Sequence, residues 1–204
     1  MLITFEGLDC SGKTTQANLL VDKLKQAGKK VLFLREPGGT PISEKIRELL
    51  LDQHHHEMSQ RAELFLFSAA RTQLVAEVIL PALKQDTMVV LDRYYDSTTV
   101  YQGYGRGLDL QSIRSINSIA TFGTTPDLTF LIDIDVEEIY RRRLVAGMDA
   151  DRMEASGKQF YEKVRQGYRL IADAEKQRFV IIDGSKPIET IRQKIWKSLQ
   201  IKMK

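Results

Sequence analysis

The sequence predicts an α/β fold, a five-stranded parallel sheet with helices on both faces. Three observations predict it. Short apolar runs at residues 2–5, 31–34, 88–91, 128–134 and 179–182 are bounded by turn residues. Runs this short and this continuously apolar suit strands buried on both faces. Segments of helical spacing separate them, as right-handed parallel crossovers require. Finally, Gly7-Leu-Asp-Cys-Ser-Gly-Lys-Thr14 follows the first run and opens the first helix. This is the phosphate-binding pattern Gly-x4-Gly-Lys-Thr, in the strand-turn-helix context it demands.

The elements follow in order. Glycines in the loop let backbone N–H groups turn inward on a phosphate, and the helix behind aims its positive end there. Lys13 is expected to reach the outer phosphates and the Thr14 hydroxyl to hold Mg²⁺. Ala17, Leu20, Val21, Leu24 and Ala27 mark one face of that helix, which Gly28 ends. The second strand leads into Arg35-Glu-Pro-Gly-Gly-Thr40 at its carboxyl end, where open parallel sheets bind ligands. Thr40 caps the next helix and Pro41 suits its first turn, with Ile42, Ile46, Leu49 and Leu50 as the expected buried face. His54, His55 and His56 point in different directions and read as a solvated loop, not a metal site. Ser59 caps a long helix through Phe65, Phe67, Ala69, Leu74 and Val78 to Pro81.

The third strand ends in Asp92-Arg93-Tyr94. Residues 95–108 are polar, aromatic and Gly-rich, which predicts a functional loop. Asp109 caps a helix with Leu110, Ile113, Ile116 and Ile119 inward, followed by a turn at 123–127. Beyond the fourth strand, Asp135 opens a helix with Glu137 and Glu138 in its first turn. Arg141, Arg142 and Arg143 lie inside or just after it. Residues 145–157, with two glycines and alternating charge, read as a mobile cover. Phe160, Val164, Tyr168 and Ile171 restore helical spacing. The fifth strand leads into Asp183-Gly-Ser-Lys186, and Pro187 starts a last helix with Ile188, Ile191, Ile195 and Leu199 inward. One sheet edge therefore collects residues 7–14, 35–39, 92–93 and 183–186.

Bulk properties narrow the classes. A chain of 204 residues fits one domain. Its net charge of +3 is too slight an excess to argue for nucleic acid. A single cysteine, Cys10, excludes an internal disulfide and fits a reducing, cytoplasmic home. No apolar run approaches the roughly 20 residues that cross a bilayer, so no membrane partner is expected.

A phosphate loop alone implies a nucleoside triphosphate, not what is done with it. A GTPase switch would carry an Asn-Lys-x-Asp segment, which is absent. A motor-type ATPase would need a larger body. Aromatic and Arg-rich loops suit a small-molecule kinase with a second, anionic substrate, because arginine forks balance phosphate charge. Arg93, following a strand-end aspartate, can project into the cleft. Asp92 either holds Mg²⁺, directly or through water, or orients Thr14 or Lys13. Asp9 inside a phosphate loop would repel phosphate unless a metal or a substrate hydroxyl offsets it.

Several blocks together resemble the thymidylate kinase family in its bacterial type. They are Phe5-Glu-Gly-Leu-Asp9, Arg35-Glu-Pro-Gly-Gly-Thr40, Ala70-Arg71-x-Gln73, Asp92-Arg93-Tyr94, Ser97 with Tyr101-Gln102-Gly103, Pro126-Asp127, and Asp151-Arg152-x-Glu154. The resemblance spans nearly the whole chain. It implies a P-loop kinase fold in one domain, residues 1–204, with a short lid at about 142–157. It implies transfer of the γ-phosphoryl of ATP to dTMP with Mg²⁺, and a homodimer through helices that include the one starting at Ser59.

The resemblance also implies roles. Lys13, Arg93, Arg142, Arg152 and Asp9 would form the catalytic set. Gly7, Leu8, Asp9, Cys10, Ser11, Gly12, Lys13, Thr14 and Ser185 would bind ATP, with adenine against the turn after the fifth strand. Phe67 would stack on thymine, and Arg71 would donate to a thymine oxygen. Thr98 and Gln102 would face the other polar base edge. Tyr101 would crowd the sugar 2′ position. Arg47 and Arg93 would hold the dTMP phosphate, Asp9 and Glu36 would lie near the 3′-hydroxyl or the metal, and Ser97 would support the pocket. Thr14 and Asp92 would serve the metal. Cys10 stands where many members carry glycine or arginine, so the phosphoryl-facing arginine should come from the lid. Ala146-Gly147 replaces an Arg-Gly pair common there, and the choice among Arg141, Arg142, Arg143 and Arg152 stays open. Two rival readings remain: a kinase of another nucleoside monophosphate or deoxynucleoside, and a non-catalytic nucleotide-binding regulator.

Overall fold

The computed structural model describes residues 1–147, 152–153 and 157–203. Five strands, β1 (Leu2–Glu6), β2 (Val31–Arg35), β3 (Met88–Asp92), β4 (Leu128–Asp133) and β5 (Phe179–Asp183), form one sheet in the order β2-β3-β1-β4-β5. Every pairing is parallel, and Phe5 lies opposite both Asp92 and Phe130. That register brings the phosphate-binding loop, at the end of the central strand β1, and Arg93, at the end of its neighbour β3, to the same edge.

The helices are α1 (Lys13–Gln26), α2 (Pro41–Leu51), α3 (Gln60–Leu74), α4 (Leu80–Lys84), α5 (Tyr95–Thr98), α6 (Leu110–Ala120), α7 (Val136–Ala146), α8 (Lys158–Ala174) and α9 (Ile188–Lys202). Alternation along the strands divides the core in two. Ile3, Phe5, Val90, Phe130 and Ile132 face Ala17, Leu20 and Leu24 of α1 and Ile191, Ile195 and Leu199 of α9. Leu2, Val89 and Leu91 face Leu74, Val75 and Ile79, while Leu131 meets Val164, Tyr168 and Ile171 of α8. The inner strands β3, β1 and β4 thus bury both faces, which is why they read as nearly continuous apolar runs, while β2 and β5 at the sheet edges stay partly exposed.

Four expectations are corrected. Residues 95–108 are not a loop: α5 runs into a π-helical segment, Thr99–Gly105, whose Val100, Tyr101, Gln102 and Gly103 are buried. The helix capped by Ser59 does not stop at Pro81. It passes through a π-helical turn at Val75–Ile79 and continues as α4 to Lys84, with Pro81 in the first turn of that last stretch. Several residues expected inward are exposed, namely Ile42, Leu49, Ile119 and Ile188. The helix Gln60–Lys84 is in fact long and apolar enough to cross a bilayer by composition. Here it is a core helix of the sheet, and it carries the buried charges Glu63 and Arg71.

The caps expected at Thr40, Ser59 and Asp109 form, each accepting from a backbone N–H three residues on. Asp135 makes no such cap and instead pairs with Arg165. The histidine run lies in an exposed turn, and no group of metal-ligating side chains occurs among the described residues. Of the expected lid, residues 148–151 and 154–156 lie outside the described residues, including Asp151 and Glu154.

Candidate active site

The phosphate-binding loop is built on a glycine that nothing else can replace. Gly7 has φ +138°, and a Cβ there would sit 2.4 Å from the Ile132 carbonyl oxygen on β4. Gly12 takes φ 96° and caps α1 with no side-chain acceptor, so the first amides of the helix point unclaimed into the loop. Lys13 is buried, its Nζ donating to the Leu8 carbonyl at 2.7 Å. Burial lowers its pKa, and the nearby Arg93 charge adds to this. Thr14 donates its hydroxyl to the Asp92 carboxylate. Of the open roles for Asp92, holding the Thr14 hydroxyl is the one this contact shows.

Arg93 follows β3 in the left-handed region at φ 70°, unusual for a non-glycine residue. Its amide still joins the sheet edge by donating to Phe5 O at 2.9 Å. That turn throws the guanidinium across to the loop, where it pairs with Asp9 and donates to Gly7 O and Ser97 Oγ at 3.0 Å. Tyr101 and Tyr168 hydroxyls lie 3.2 Å from it. Burial opposes the ionisation of Asp9, but the Arg93 and Lys13 charges outweigh it and hold the carboxyl well below the usual range.

A cleft open to solvent begins at this pair. Every residue expected to bind the second substrate lines it: Glu36, Arg47, Phe67, Arg71, Arg93, Ser97, Thr98, Tyr101 and Gln102. Arg71, on α3, is fixed by its partners, with Nε donating to Glu36 at 2.7 Å and NH1 to Thr98 Oγ1 at 2.9 Å. Burial raises the Glu36 pKa against the pull of Arg71. Arg47 reaches from α2 to the Pro37 carbonyl at 3.0 Å. Phe67 is half-buried on the cleft wall, and Tyr101 lies edge-on to Phe160 and Tyr168.

The arginines of the lid region part company. Arg142 donates to Glu138, to the Cys10 and Ser11 carbonyls at 3.2 and 3.3 Å, and to Gly184 O at 2.8 Å. It ties the phosphate loop to the turn after β5, where Ser185 closes on Asp183. Arg152 lies at the opposite end of the cleft, donating to Leu50 O and to Glu63, each at 2.7 Å. Arg141 is on the surface, held by Glu138.

Sequence reasoning passed over Glu6, Glu63, Tyr168, Leu51 and Met153. Leu51 and Met153 line the cleft. Glu6 is fully buried at the end of β1, accepting from Ser97 Oγ at 2.6 Å, Tyr168 OH at 2.8 Å and Tyr94 N at 2.8 Å. Its position was the available signal: a carboxylate ending a central apolar strand has no solvent and must be part of a network.

The arrangement puts a phosphate cradle with its lysine beside an arginine-rimmed pocket, joined at Arg93. Comparison with known proteins agrees. A sequence profile described as thymidylate kinase matches residues 5–195. The chain is 48% identical to the thymidylate kinase of Chlorobaculum parvum, over 98% of this chain and 95% of that one. It is also 48% identical to that of Chlorobium luteolum, over 100% and 99%. It is similar to the crystal structure of thymidylate kinase from Ehrlichia chaffeensis, with a TM-score of 0.79 and 35% identity over 98% of each chain.

Proposed function

The chain belongs to the thymidylate kinase family, and from that premise we propose that it transfers the γ-phosphoryl of ATP to dTMP, giving dTDP and ADP. The observation that carries this reading is the shared edge: Arg93 stands between the phosphate loop and a cleft lined by Phe67, Arg71 and Gln102. A phosphate donor in the loop and a phosphorylated acceptor in the cleft would meet end to end at that arginine.

The acceptor is already an ionised phosphate oxygen, so the chain has no need of a strong general base. Its residues align the reactants, compensate charge and exclude water. Lys13 would swing from Leu8 O to the transferred group, and Arg93 would exchange Asp9 for the acceptor phosphate. Phe67 offers a ring face for the base and Arg71 an N–H donor for its carbonyl. Arg47 would add charge at the acceptor end. Arg142 supports the donor side through its hold on the loop and the Ser185 turn, and Arg152 supports the acceptor side.

Thr14 and Asp92 are two hard oxygen donors in contact beside Lys13, a pair that would suit Mg²⁺. Bound there, the ion would neutralise phosphate charge. Exposed Ile42 and Leu49 of α2, Phe65 of α3 and Ile119 of α6 support a homodimer through these helices. A cytoplasmic site of action fits the lone cysteine.

The test is ADP release from ATP and Mg²⁺ with and without dTMP. Turnover that rises on adding dTMP, and more than with dCMP, AMP or thymidine, supports the reading. Turnover indifferent to dTMP refutes it.

A further inference from the structure

We propose that Glu63 is a positioning residue that selects the nucleobase: its carboxylate locks the Gln102 side chain so that Oε1, not Nε2, faces the base and reads a ring N–H. The proposal rests on the dTMP reading above and deepens it.

Glu63 lies on α3 and is 1% exposed. It does not line the cleft, so it acts through what it holds. Gln102 Nε2 donates to Glu63 Oε1 at 2.9 Å, Arg106 donates Nε at 3.2 Å and NH2 at 3.3 Å, and Arg152 donates NH1 at 2.7 Å. Burial of Glu63 opposes its ionisation, but hydrogen bonds from Gln102, Arg106 and Arg152 hold it below the usual range. An ionised carboxylate only accepts hydrogen bonds. A Gln102 turned the other way would set its carbonyl oxygen against that charge, so a single amide orientation survives.

That orientation has a consequence at the cleft. Gln102 lines it beside Phe67, Arg71 and Met153. No described residue donates to its Oε1. The wall therefore offers an acceptor from Gln102 and a donor from Arg71. This pair complements a base edge that carries N–H next to C=O, as thymine and uracil do. Cytosine presents a bare ring nitrogen and an amino group, which leaves the Gln102 oxygen facing a lone pair. A site built around one hydrogen-bonding pattern rejects its inverse strongly.

The chain tests this with kcat/KM for dTMP and for dCMP. In Glu63→Gln the new carboxamide accepts or donates, and Gln102 is free to turn. The dTMP-to-dCMP ratio is expected to fall at least about tenfold, the scale of one mispaired buried hydrogen bond. Gln102→Leu should lower it comparably, and the double substitution should lower it no further than either single one. Arg106→Met removes another partner of Glu63 and leaves the Gln102 contact in place. Its ratio should stay within about twofold of the parent, whatever its melting temperature, as for uncoupled groups. A ratio unchanged in Glu63→Gln, or lowered as much by Arg106→Met, overturns the proposal. If Glu63→Gln does not fold, an unchanged ratio in Gln102→Leu overturns it as well. A parent chain without dTMP-dependent turnover would instead overturn the proposed function.

Discussion

Arg93 and Asp9 form an ion pair that bridges the end of β3 and the phosphate-binding loop. The pair answers the puzzle of a carboxylate among phosphate-binding amides. Asp9 supplies a negative charge that faces the Arg93 guanidinium. Glu6 lies one layer below, sharing Ser97 and Tyr168 with the same guanidinium.

Arg93 therefore carries two separable properties, a charge and a left-handed backbone. Arg93→Ala and Arg93→Gly should each cost at least about 3 kcal/mol in transition-state stabilisation, as for other lost charge-stabilising contacts. The glycine variant should be the more stable of the two, by about 1 kcal/mol, because its backbone accepts φ 70° without strain. Steady-state kinetics and urea unfolding check the two halves. Kinetics within threefold of the parent would contradict the first.

Arg71 and Glu36 are both almost wholly buried, and Glu36 depends on Arg71 for its charge. Arg71→Met should destabilise the fold by roughly 3–5 kcal/mol because it strands a buried carboxylate. Adding Glu36→Gln should recover much of that loss without restoring nucleobase discrimination. Urea midpoints that do not differ between the single and double variants would show the pair to be uncoupled.

Glu6 makes stability depend on pH. Burial, with the Asp96 carboxylate, pushes its carboxyl up to about 7, against the pull of Arg93, Ser97 and Tyr168. The folded value lies above the unfolded one, so the folded state holds the proton more tightly. The stability this gives is full below the ordinary glutamate range and is lost as pH rises through about 7. Glu6→Gln should flatten the decline in unfolding free energy between about pH 4.5 and 7. Parallel curves for parent and variant would rule Glu6 out as the source.

Cys10 sits half-buried in the loop with φ 56°, just before the N-terminus of α1. That location puts the thiol where ATP bound in the loop would cover it. A thiol reagent should inactivate the enzyme, and ATP should slow the reaction. Full labelling with activity intact would dismiss the idea.

The inner strands were legible because burial on both faces leaves little room for polar residues, and all five runs became strands. The phosphate loop was legible because its glycines answer to backbone geometry. Helical periodicity was less informative. On α2 the inward positions are Ser43 and Leu50, since Ser43 bonds to Ala70 O at 2.8 Å where α2 meets α3. Spacing marks a face without saying which side meets the core, so Ile42 and Leu49 were assigned inward. Residues 95–108 misled for another reason. Their polar side chains are satisfied inside the protein, Gln102 by Glu63 and Tyr101 by Asp9 and Arg93. Composition therefore resembled a loop while the backbone was helical.

The π-helical segment Thr99–Gly105 closes on a hydrogen bond from Arg106 N to Tyr101 O, five residues back. Such a segment holds one residue more than a regular helix of equal length. Loss of a single residue there would let the segment close as a regular helix, leaving everything beyond it in register and redirecting only the side chains inside it, Tyr101 and Gln102 among them. A different side chain would then meet the ligand, with no contact position itself substituted. A deletion in this stretch would thus reshape the cleft wall while the rest of the fold keeps its place.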